Sequence, residues 1–277
     1  MLPTALRQLI EATLAEDIGS GDVTTQACIP ADLRGTGTTH ANASGVVSGG
    51  GVAAECCFAL DPSAEAEWLP EGATVSPGDV VLTVRGQAQA LLTAERTALN
   101  FLQHLSGVAT LTARFVEAAG PSVIVVDTRK TTPGLRALEK AAVRAGGGRN
   151  HRFALYDGVL IKENHIAAAG GIANAVRECR LNAPHLLGIE VEARTLADVE
   201  EALESGADVI MLDNMDLAAM RTAVELVAHR VPLEASGGVT LENIRQIADT
   251  GVDLISVGAL THSAPTLDMS MDLAVGD

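Results

Sequence analysis

Aromatic residues are scarce, since the 277-residue chain contains four Phe, one Tyr and one Trp. Stacking platforms for the bases of single-stranded nucleic acid are therefore effectively absent. A net charge of -16 also opposes binding to a long phosphate backbone. The composition predicts no nucleic-acid partner. Its 47% of hydrophobic residues predicts a core of Ala, Val, Leu and Ile.

Paired cysteines and long apolar runs are also missing. Cys28, Cys56, Cys57 and Cys179 show no C-x-x-C spacing, and no His or Cys pair has the spacing of zinc ligands. No apolar run approaches the roughly 20 residues that cross a bilayer. No N-terminal run combines a basic start, an apolar stretch and a cleavage site. The sequence predicts a cytoplasmic globular protein of one large or two smaller α/β domains, without membrane association.

Lysine occurs at only three positions, Lys130, Lys140 and Lys162, and all lie within residues 123–166. Over residues 127–165, eight Lys and Arg accompany four Asp and Glu, a local charge of +4 in an acidic chain. Like charges are brought together only at an electrostatic cost, so the cluster is typical of a site for a small, multiply charged anion. A solvated basic helix face is the alternative, but two of these lysines follow closely on apolar, strand-like runs.

The first part of the chain alternates helical and strand-like patterns. Apolar spacing predicts a helix over residues 4–16, with Thr4 as N-cap and an end at Gly19. The sequence DIGSGDVTT that follows is typical of a polar connecting loop. Residues 35–86 are interpreted as short strands and tight turns, and residues 89–115 as a second helix with Arg96 on its polar stripe.

After Gly120 the pattern becomes a regular alternation of strand and helix, which implies a parallel sheet, open or closed into a barrel. Two threonines, Thr195 and Thr240, are predicted N-caps. The predicted strands are 123–126, 159–161, 186–191, 209–212, 231–235 and 254–257. The predicted helices are 134–145, 167–181, 195–205, 216–229 and 240–250.

Residues just beyond these strands are the candidate site, because ligands bind at the carboxyl ends of parallel strands. They are Asp127, Thr128, Arg129, Lys130, Lys162, Glu163, Asn164, Glu190, Glu192, Asp213, Asn214, Ser236, Gly237, Gly238, Gly258 and Ala259. The turns 236–238 and 257–259 can offer free backbone N–H groups to a phosphate, although glycine turns also simply connect elements. Glu192 and Asp213 suit ribose hydroxyls or a Mg²⁺ that bridges phosphates, and equally the neutralisation of nearby lysines.

His151 and Arg152 extend this cationic group. Histidine changes protonation near neutrality, and the forked guanidinium of arginine matches a planar carboxylate. A lone histidine is more often structural, but beside Arg129, Lys130 and Lys162 it becomes a candidate ligand contact. That many cations indicate an anion more highly charged than one monophosphate.

At these residues the sequence resembles the quinolinate phosphoribosyltransferases, the decarboxylating nicotinate-nucleotide pyrophosphorylases of NAD biosynthesis. The resemblance runs over nearly the full length and includes AEDIGSGDVTT, AERTALNFLQHLSGVAT, TRKTTPGLRALEKAAVRAGGGRNHR, DGVLIKENHI, EVE, IMLDNM, ASGG and VGALTHS, in the family's order. The long block from TRKT to NHR is the most specific.

The resemblance implies an N-terminal α/β sandwich domain over residues 1–106, joined by the returning C-terminal residues 266–277. It implies an incomplete α/β barrel of about seven parallel strands over residues 107–265. Because the periodicity predicts six strands, a seventh is expected around residues 153–155. Members of the family form homodimers with shared active sites, and some form hexamers.

Site roles follow from the same resemblance. Arg96 is expected to reach quinolinate from a partner subunit, and Arg129 and Arg152 to bind the same substrate, with Thr128 beside them. Lys130, His151 and Lys162 are expected between quinolinate and the sugar phosphate. Glu192 and Asp213 are expected to serve the ribose and Mg²⁺, and Ser236, Gly237, Gly238, Val257, Gly258 and Ala259 to hold phosphate. Lys130, Lys162, Glu192 and Asp213 are the expected catalytic residues; whether Glu190 shares the role of Glu192 stays open.

The implied reaction joins quinolinate to phosphoribosyl pyrophosphate, bound with Mg²⁺ and without an organic cofactor. Three alternatives remain at this point. A relative could act on a different heterocycle, a lyase could use Lys162 as a Schiff-base nucleophile, and a non-catalytic sensor could bind the sugar phosphate without turnover.

Overall fold

The computed structural model describes residues 4–275. The chain divides into two compact units. The first is formed by the described residues of Met1–Leu111, Pro133–Gly147 and Ser263–Asp277, and the second by Thr112–Thr132 and Gly148–His262. The predicted domain boundaries, which group residues 133–147 with the barrel, stay a prediction. Residues 276 and 277 of the predicted C-terminal return lie outside the described residues.

The first unit is built on strands β1 (Arg34–Ala41), β3 (Glu65–Trp68), β5 (Val80–Gln87) and β12 (Met269–Val275), with a short pair β2 (Gly45–Val46) and β4 (Thr74–Val75). Its helices are α1 (Thr4–Ile18), α2 (Val23–Cys28), α3 (Gly50–Leu60) and α5 (Arg136–Ala145), and α4 (Ala88–Ala119) begins in it. The four longer strands form an antiparallel sheet in the order β12-β1-β5-β3. The last described strand of the chain therefore pairs with the first.

Several predictions for this unit were wrong. Residues 50–60 were interpreted as strand and turn but form α3. The preceding Gly49 allows a neighbouring side chain to pack closely and does not mark a turn between strands. A Cβ at Gly49, where φ is +93°, would lie 2.6 Å from a methyl carbon of Leu105. The predicted loop after Gly19 contains α2, whose N-cap Asp22 accepts a hydrogen bond from the N–H of Thr25 at 3.0 Å. Thr4 is itself helical instead of preceding the helix.

The second unit contains six parallel strands, all at predicted positions. They are β6 (Ile124–Val126), β7 (Val159–Ile161), β8 (Ile189–Ala193), β9 (Val209–Asp213), β10 (Leu233–Ser236) and β11 (Leu254–Ser256). Their order is β6-β11-β10-β9-β8-β7, so that the last strand pairs with the first. A ring of consecutive strands that is open between its first two members is an incomplete barrel.

The expected seventh strand around residues 153–155 does not form. Those residues are bends without strand pairing, and the contact next to β6 is a single parallel bridge between Val126 and Arg149. The N–H groups of Phe153 and Ala154 instead donate to the carboxylate of Asp157, at 2.6 and 2.7 Å. Side-chain capping of this segment satisfies the backbone groups that a strand would have paired.

The helices of the second unit are α6 (Glu163–Ala169), α7 (Ile172–Asn182), α8 (Leu196–Glu204), α9 (Leu217–Val227), α10 (Ile244–Ala248) and α11 (Ala259–His262). The predicted helix 167–181 is broken at Gly170 and Gly171, where φ is +79° and +130°. Thr195 caps α8 as predicted, whereas Thr240 does not cap α10, which has Asn243 as its N-cap. No helix among residues 4–275 is long and apolar enough to span a membrane.

Candidate active site

The carboxyl ends of the parallel strands surround a cavity of about 500 Å³ in the second unit. Eleven of the predicted site residues line it. They are Thr128, Arg129, Lys130, His151, Arg152, Lys162, Glu192, Asp213, Ser236, Gly237 and Gly238. The predicted strand-end residue Asn214 also lines it, together with Leu160, Met211, Glu234 and Ser256. Four of the eight Lys and Arg residues of the cationic segment therefore share one cavity: Arg129, Lys130, Arg152 and Lys162.

The loop after β6 is held in place at both of its ends. Asp127 is fully buried and its N–H donates to the carbonyl oxygen of Arg149 at 3.1 Å. The carbonyl oxygen of Lys130 accepts a hydrogen bond from the hydroxyl of Thr261 at 2.7 Å. The N–H of Lys130 donates to the hydroxyl of Thr128 at 3.0 Å. Arg129 and Lys130 are thus presented by a fixed backbone.

His151 and Arg152 are positioned by the same buried carboxylate. One oxygen of Asp127 accepts from the N–H of His151 at 2.9 Å, and the other accepts from the side chain of Asn150 at 2.6 Å. The guanidinium of Arg152 donates to the carbonyl oxygen of Gly158 at 2.8 Å. Burial lowers the pKa of Arg152, and the neighbouring charge of Arg129 lowers it further. An anion between the two guanidinium groups would relieve that repulsion.

Acidic side chains stand opposite these cations. Glu192 on β8 is half-buried, and its Oε2 lies 3.1 Å from Nζ of Lys162 at the end of β7. Asp213 ends β9, and its Oδ1 accepts from the side chain of Asn214 at 3.0 Å. The mouth therefore carries two carboxylates on adjacent strands, an arrangement that suits hydroxyl groups or a magnesium-bound phosphate.

The turn after β10 comes so close to the end of β9 that it requires glycine. Gly237 has a φ of +97°, and a Cβ there would clash with Oδ1 of Asn214. Gly238 also has a positive φ, +60°. The backbone of this turn therefore faces the cavity without a side chain in the way, as a phosphate-binding turn requires.

A buried acidic cluster lies beneath the mouth, formed by the predicted residues His151 and Glu190 and by Glu234, which was not predicted. Nε2 of His151 is 2.8 Å from Oε2 of Glu190 and 3.7 Å from Oε2 of Glu234. Glu190 is 8% and Glu234 is 2% exposed. Inward-pointing residues alternate along a strand, so Glu190 and Glu234 lie one layer below Glu192 and Ser236. Among the residues that the structure describes, this is the one group of three with metal-ligating side chains close together.

The hydrogen bonds of His151 assign its tautomer. The N–H of Arg152 donates to Nδ1 of His151 at 2.7 Å, so Nδ1 offers a lone pair and the proton is on Nε2. Nε2 then donates to Glu190. A metal ion on Nε2 would move the proton to Nδ1, where it would oppose the N–H of Arg152. The cluster is therefore arranged as hydrogen-bonded acids instead of a metal centre.

Unpartnered polar atoms concentrate at this site. Five buried side-chain atoms have no hydrogen-bond partner among residues 4–275, and all belong to residues of this cavity or the cluster below it. They are Nε of Arg129, Nε of Arg152, Oε1 of Glu190, Oε1 of Glu234 and Oγ of Ser256. Buried polar groups are normally hydrogen-bonded, so such a concentration is typical of a site that is completed by a ligand.

Of the strand-end candidates, Asp127, Glu163, Asn164 and Glu190 do not line the cavity. Four further residues with an expected binding role, Arg96, Val257, Gly258 and Ala259, do not line it either. Val257 is buried, and Gly258 and Ala259 form the turn into α11. A Cβ at Gly258 would lie 3.0 Å from the side chain of Lys130, so this glycine makes room for that lysine. Arg96 is exposed on α4, in the first unit, as its position on a polar stripe predicted.

The sequence contained a signal for Glu234, the acid that was not predicted. Glu190 and Glu192 are two residues apart within β8, as are Glu234 and Ser236 within β10. Period-two spacing places both members of each pair on one face. Glu190 was among the predicted candidates, whereas Glu234 lies within its strand and not after it. No sequence pattern indicates that Glu234 lies beside Glu190.

An incomplete parallel α/β barrel with a polar mouth of cations and carboxylates defines a class of phosphate-ligand enzymes. Two domain models of one family match the chain: the quinolinate phosphoribosyl transferase N-terminal domain over residues 22–106 and the C-terminal domain over residues 108–272. The chain belongs to the quinolinate phosphoribosyl transferase family.

Similar proteins cover almost the whole chain. A probable nicotinate-nucleotide pyrophosphorylase [carboxylating] of Bacillus subtilis is 43% identical over 98% of this chain and 94% of its own. Its counterpart from Synechocystis is 48% identical over 95% and 91%. Among solved structures, NadC from Streptococcus pyogenes has a TM-score of 0.96 at 41% identity, covering 100% of this chain and 99% of its own.

Proposed function

We propose that the chain transfers the phosphoribosyl group of phosphoribosyl pyrophosphate to quinolinate with decarboxylation. The products are nicotinate mononucleotide, CO2 and pyrophosphate, in the de novo synthesis of NAD. One observation carries the proposal: Arg129 and Arg152, each with an unpartnered buried Nε, meet Lys130 and Lys162 in one cavity opposite Glu192 and Asp213. Membership of the family and the names of the relatives support it.

Quinolinate is proposed to bind through its two carboxylates between Arg129 and Arg152. A planar guanidinium can pair with a carboxylate through two parallel hydrogen bonds, which fixes the orientation of the ring as well as its position. The apolar side chains of Leu160 and Met211 also line the cavity and suit the faces of an aromatic ring. Quinolinate therefore has both charged and apolar contacts in this cavity.

Phosphoribosyl pyrophosphate is proposed to enter as its Mg²⁺ complex. Its phosphates would fit against the backbone of Gly237 and Gly238, and Glu192 and Asp213 would hold the ribose hydroxyls and the Mg²⁺, which would neutralise phosphate charge. Lys130 and Lys162 neutralise the charge of the pyrophosphate as it leaves. The proposed site thus has three parts, which bind the two carboxylates of quinolinate, the ribose with its anomeric carbon, and the phosphates.

The chemistry requires position and fixed charge more than a protein nucleophile. The ring nitrogen of quinolinate attacks the anomeric carbon, and pyrophosphate departs through an oxocarbenium-like state. The pyridinium that results then loses the carboxylate next to its nitrogen, because the positive nitrogen stabilises the electron pair left on that carbon. The dimer proposed for the family would add Arg96 of a second copy to the part that binds the two carboxylates.

Free cysteines fit a cytoplasmic location for this protein.

Incubation with phosphoribosyl pyrophosphate and Mg²⁺, with either quinolinate or nicotinate, tests this function. We expect equal amounts of CO2, pyrophosphate and mononucleotide from quinolinate and no product from nicotinate. Turnover of nicotinate, without CO2, would assign the chain to a different heterocycle. Tight binding of phosphoribosyl pyrophosphate without any product would indicate a sensor. A lyase that uses Lys162 would be trapped by borohydride with a carbonyl substrate.

A further inference from the structure

We propose that Glu234 is the acid that delivers the proton which replaces the lost carboxylate on the pyridine ring. The inference rests on the proposed function and adds a catalytic residue to it. It concerns the second half of the reaction, after phosphoribosyl transfer. The expected catalytic residues at the mouth, such as Lys130 and Glu192, serve the first half.

The balance of atoms requires such a donor. When the bond between the ring carbon and the carboxylate breaks, its electron pair stays on the ring carbon and CO2 leaves as a neutral molecule. The product carries hydrogen at that carbon, so one proton must be supplied for each turnover. In the proposed step the O–H bond of Glu234 breaks and a C–H bond forms on the ring carbon while the bond from that carbon to the carboxylate breaks, so the rate of CO2 release depends on the donor. The carboxylate of Glu234 regains a proton from water after the product leaves.

Position favours Glu234 among the acids of the site. It lines the cavity from the inner layer of β10, below Ser236, and its side chain is almost completely buried. Its Oε1 has no hydrogen-bond partner among residues 4–275. The two arginines with unpartnered Nε atoms line the same cavity. The carboxyl group of Glu234 therefore opens onto the cavity in which quinolinate is proposed to bind.

The neighbours of Glu234 indicate which of the two buried acids carries a proton. Oε2 of Glu190 accepts a hydrogen bond from Nε2 of His151 at 2.8 Å. The same ring nitrogen is 3.7 Å from Oε2 of Glu234, beyond hydrogen-bond distance. Two like charges in one buried cluster are costly, so the less well satisfied acid keeps its proton.

The electrostatic surroundings agree with this assignment. Burial raises the pKa of Glu234 to about 7 and the charge of Glu190 raises it as well, whereas a charged His151, the hydroxyl of Ser256 and the charge of Lys162 lower it. The N–H of Arg152 donates to Nδ1 of His151, which favours the neutral ring, so the lowering by His151 falls away. A general acid is most effective when its pKa lies near the working pH. An ionised Glu234 would also repel the carboxylates of quinolinate, whereas a neutral one can donate to them.

Other proton donors at the site are less suitable. Nε2 of His151 directs its hydrogen at Glu190, and Nδ1 has none to give. Lys162 is in an ion pair with Glu192 at the mouth. Lys130 is exposed and belongs to the layer above. Glu234 is the acid that combines a buried position, a free oxygen and direct access to the cavity.

The test measures the two halves of the reaction separately in the variant Glu234→Gln. Glutamine keeps the shape of the side chain and a hydrogen-bond donor but has no acidic proton to transfer. Single-turnover reactions with quinolinate labelled in its 2-carboxylate report pyrophosphate and CO2 independently. We expect pyrophosphate release to change by less than about tenfold and CO2 release to fall by about 10²-fold, the usual contribution of a general acid. Quinolinate mononucleotide should accumulate, and Glu234→Asp should restore part of the second step.

Glu200→Gln is the control, because it makes the same substitution at an exposed position on α8 that does not line the cavity. We expect this variant to keep CO2 and pyrophosphate release in step, whatever its overall rate. If Glu234→Gln also releases CO2 and pyrophosphate at matching rates, the inference is overturned. If the wild type releases no pyrophosphate, the proposed function fails instead, so the two failures are distinguishable.

A second measurement tests the inference on the wild-type protein, in case Glu234→Gln does not fold. Infrared difference spectra of the wild-type protein on addition of quinolinate should contain the band of a protonated carboxyl group, and its shift in D2O identifies an exchangeable proton. Glu234→Asp should displace that band. Absence of a protonated carboxyl band in the wild type would overturn the inference without any variant.

Discussion

Asp127 and His151, 24 residues apart in sequence, are joined by a hydrogen bond of 2.9 Å from the N–H of His151 to Oδ1 of Asp127. The second oxygen of Asp127 accepts from Asn150, so one buried carboxylate fixes the segment that contains His151 and Arg152. It also lies next to Thr128, Arg129 and Lys130 in sequence. This residue therefore joins the two cationic parts of the candidate site.

Replacement of Asp127 by asparagine should destabilise the protein and weaken quinolinate binding. The amide offers one acceptor where two donors approach, which leaves a buried N–H group opposite another donor and costs about 1–3 kcal/mol. Urea unfolding measures the loss, and quinolinate titration measures the binding. Asp157→Asn is the control, because exposed Asp157 also accepts from two backbone N–H groups. Equal destabilisation by both variants would contradict the role of burial.

Arg152→Ala should raise the quinolinate concentration needed for half-maximal rate sharply and leave the fold intact. Its guanidinium is proposed to hold one carboxylate of the diacid, and Arg152→Lys should restore charge but not the two-point geometry. The dependence on phosphoribosyl pyrophosphate should change less. Arg177→Ala, which removes an exposed ion pair with Glu178, serves as control. An unchanged response of Arg152→Ala to quinolinate would refute this contact.

Gly237→Ala should weaken phosphoribosyl pyrophosphate binding and lower stability. The residue would have to adopt a φ of +97°, and its Cβ would clash with Asn214. Gly206→Ala is the control for the cost of a positive φ alone. Gly206 has a φ of +79°, but a Cβ there would meet no atom within 4 Å. Strain alone costs on the order of 1–3 kcal/mol. Equal melting temperatures and equal substrate dependence in the two variants would argue against a close approach at this turn.

Glu234→Gln should alter how stability depends on pH. The pKa of Glu234 is raised from 4.5 to about 7, so between these values the folded state binds more protons than the unfolded state. Stability therefore falls as pH rises through this window, by a total on the order of 3 kcal/mol. Glutamine does not titrate. The melting temperature of the variant should therefore rise relative to that of the wild type as the pH increases from about 5 to about 8.

The control for this pH series is Glu200→Gln, at an exposed position on α8. Its melting temperature should follow that of the wild type across the range. A difference between Glu234→Gln and the wild type that stays constant with pH would show that Glu234 is ionised throughout.

Arg96 provides a test of shared sites. If it enters the active site of a second copy, Arg96→Ala and Lys162→Ala should each lose activity, yet a mixture should regain part of it after subunit exchange. Mixed dimers would contain one site with both wild-type residues. A mixture no more active than its components would place Arg96 outside the neighbouring site, and sedimentation would show whether exchange partners form at all.

Several features of the second unit were predictable because they depend on local pattern. Each of the six predicted strands is present, since short apolar runs between amphipathic helices fit only a buried parallel sheet. Strand ends in such a sheet share one edge, so Arg129, Lys162, Glu192 and Asp213 could be placed together from residue order alone. The break at Gly170 and Gly171 was missed because amphipathic periodicity continues across it.

Other features could not be predicted because they depend on which segments meet. The interpretation of α3 failed because its glycines pack against Leu105 and Trp68, which lie far away in sequence. No strand forms around residues 153–155, where a seventh was expected, since Asp157 satisfies the backbone N–H groups of Phe153 and Ala154.

The sequence by itself determined the strand and helix alternation, the concentration of cations in one segment and the family, because these are written in residue order and spacing. Only the tertiary structure decided that Glu190, Glu234 and His151 share one buried cluster. Strand order and register bring those three residues together from separate parts of the chain, and burial then changes their chemistry. The proton donor proposed for this protein comes from that second kind of information.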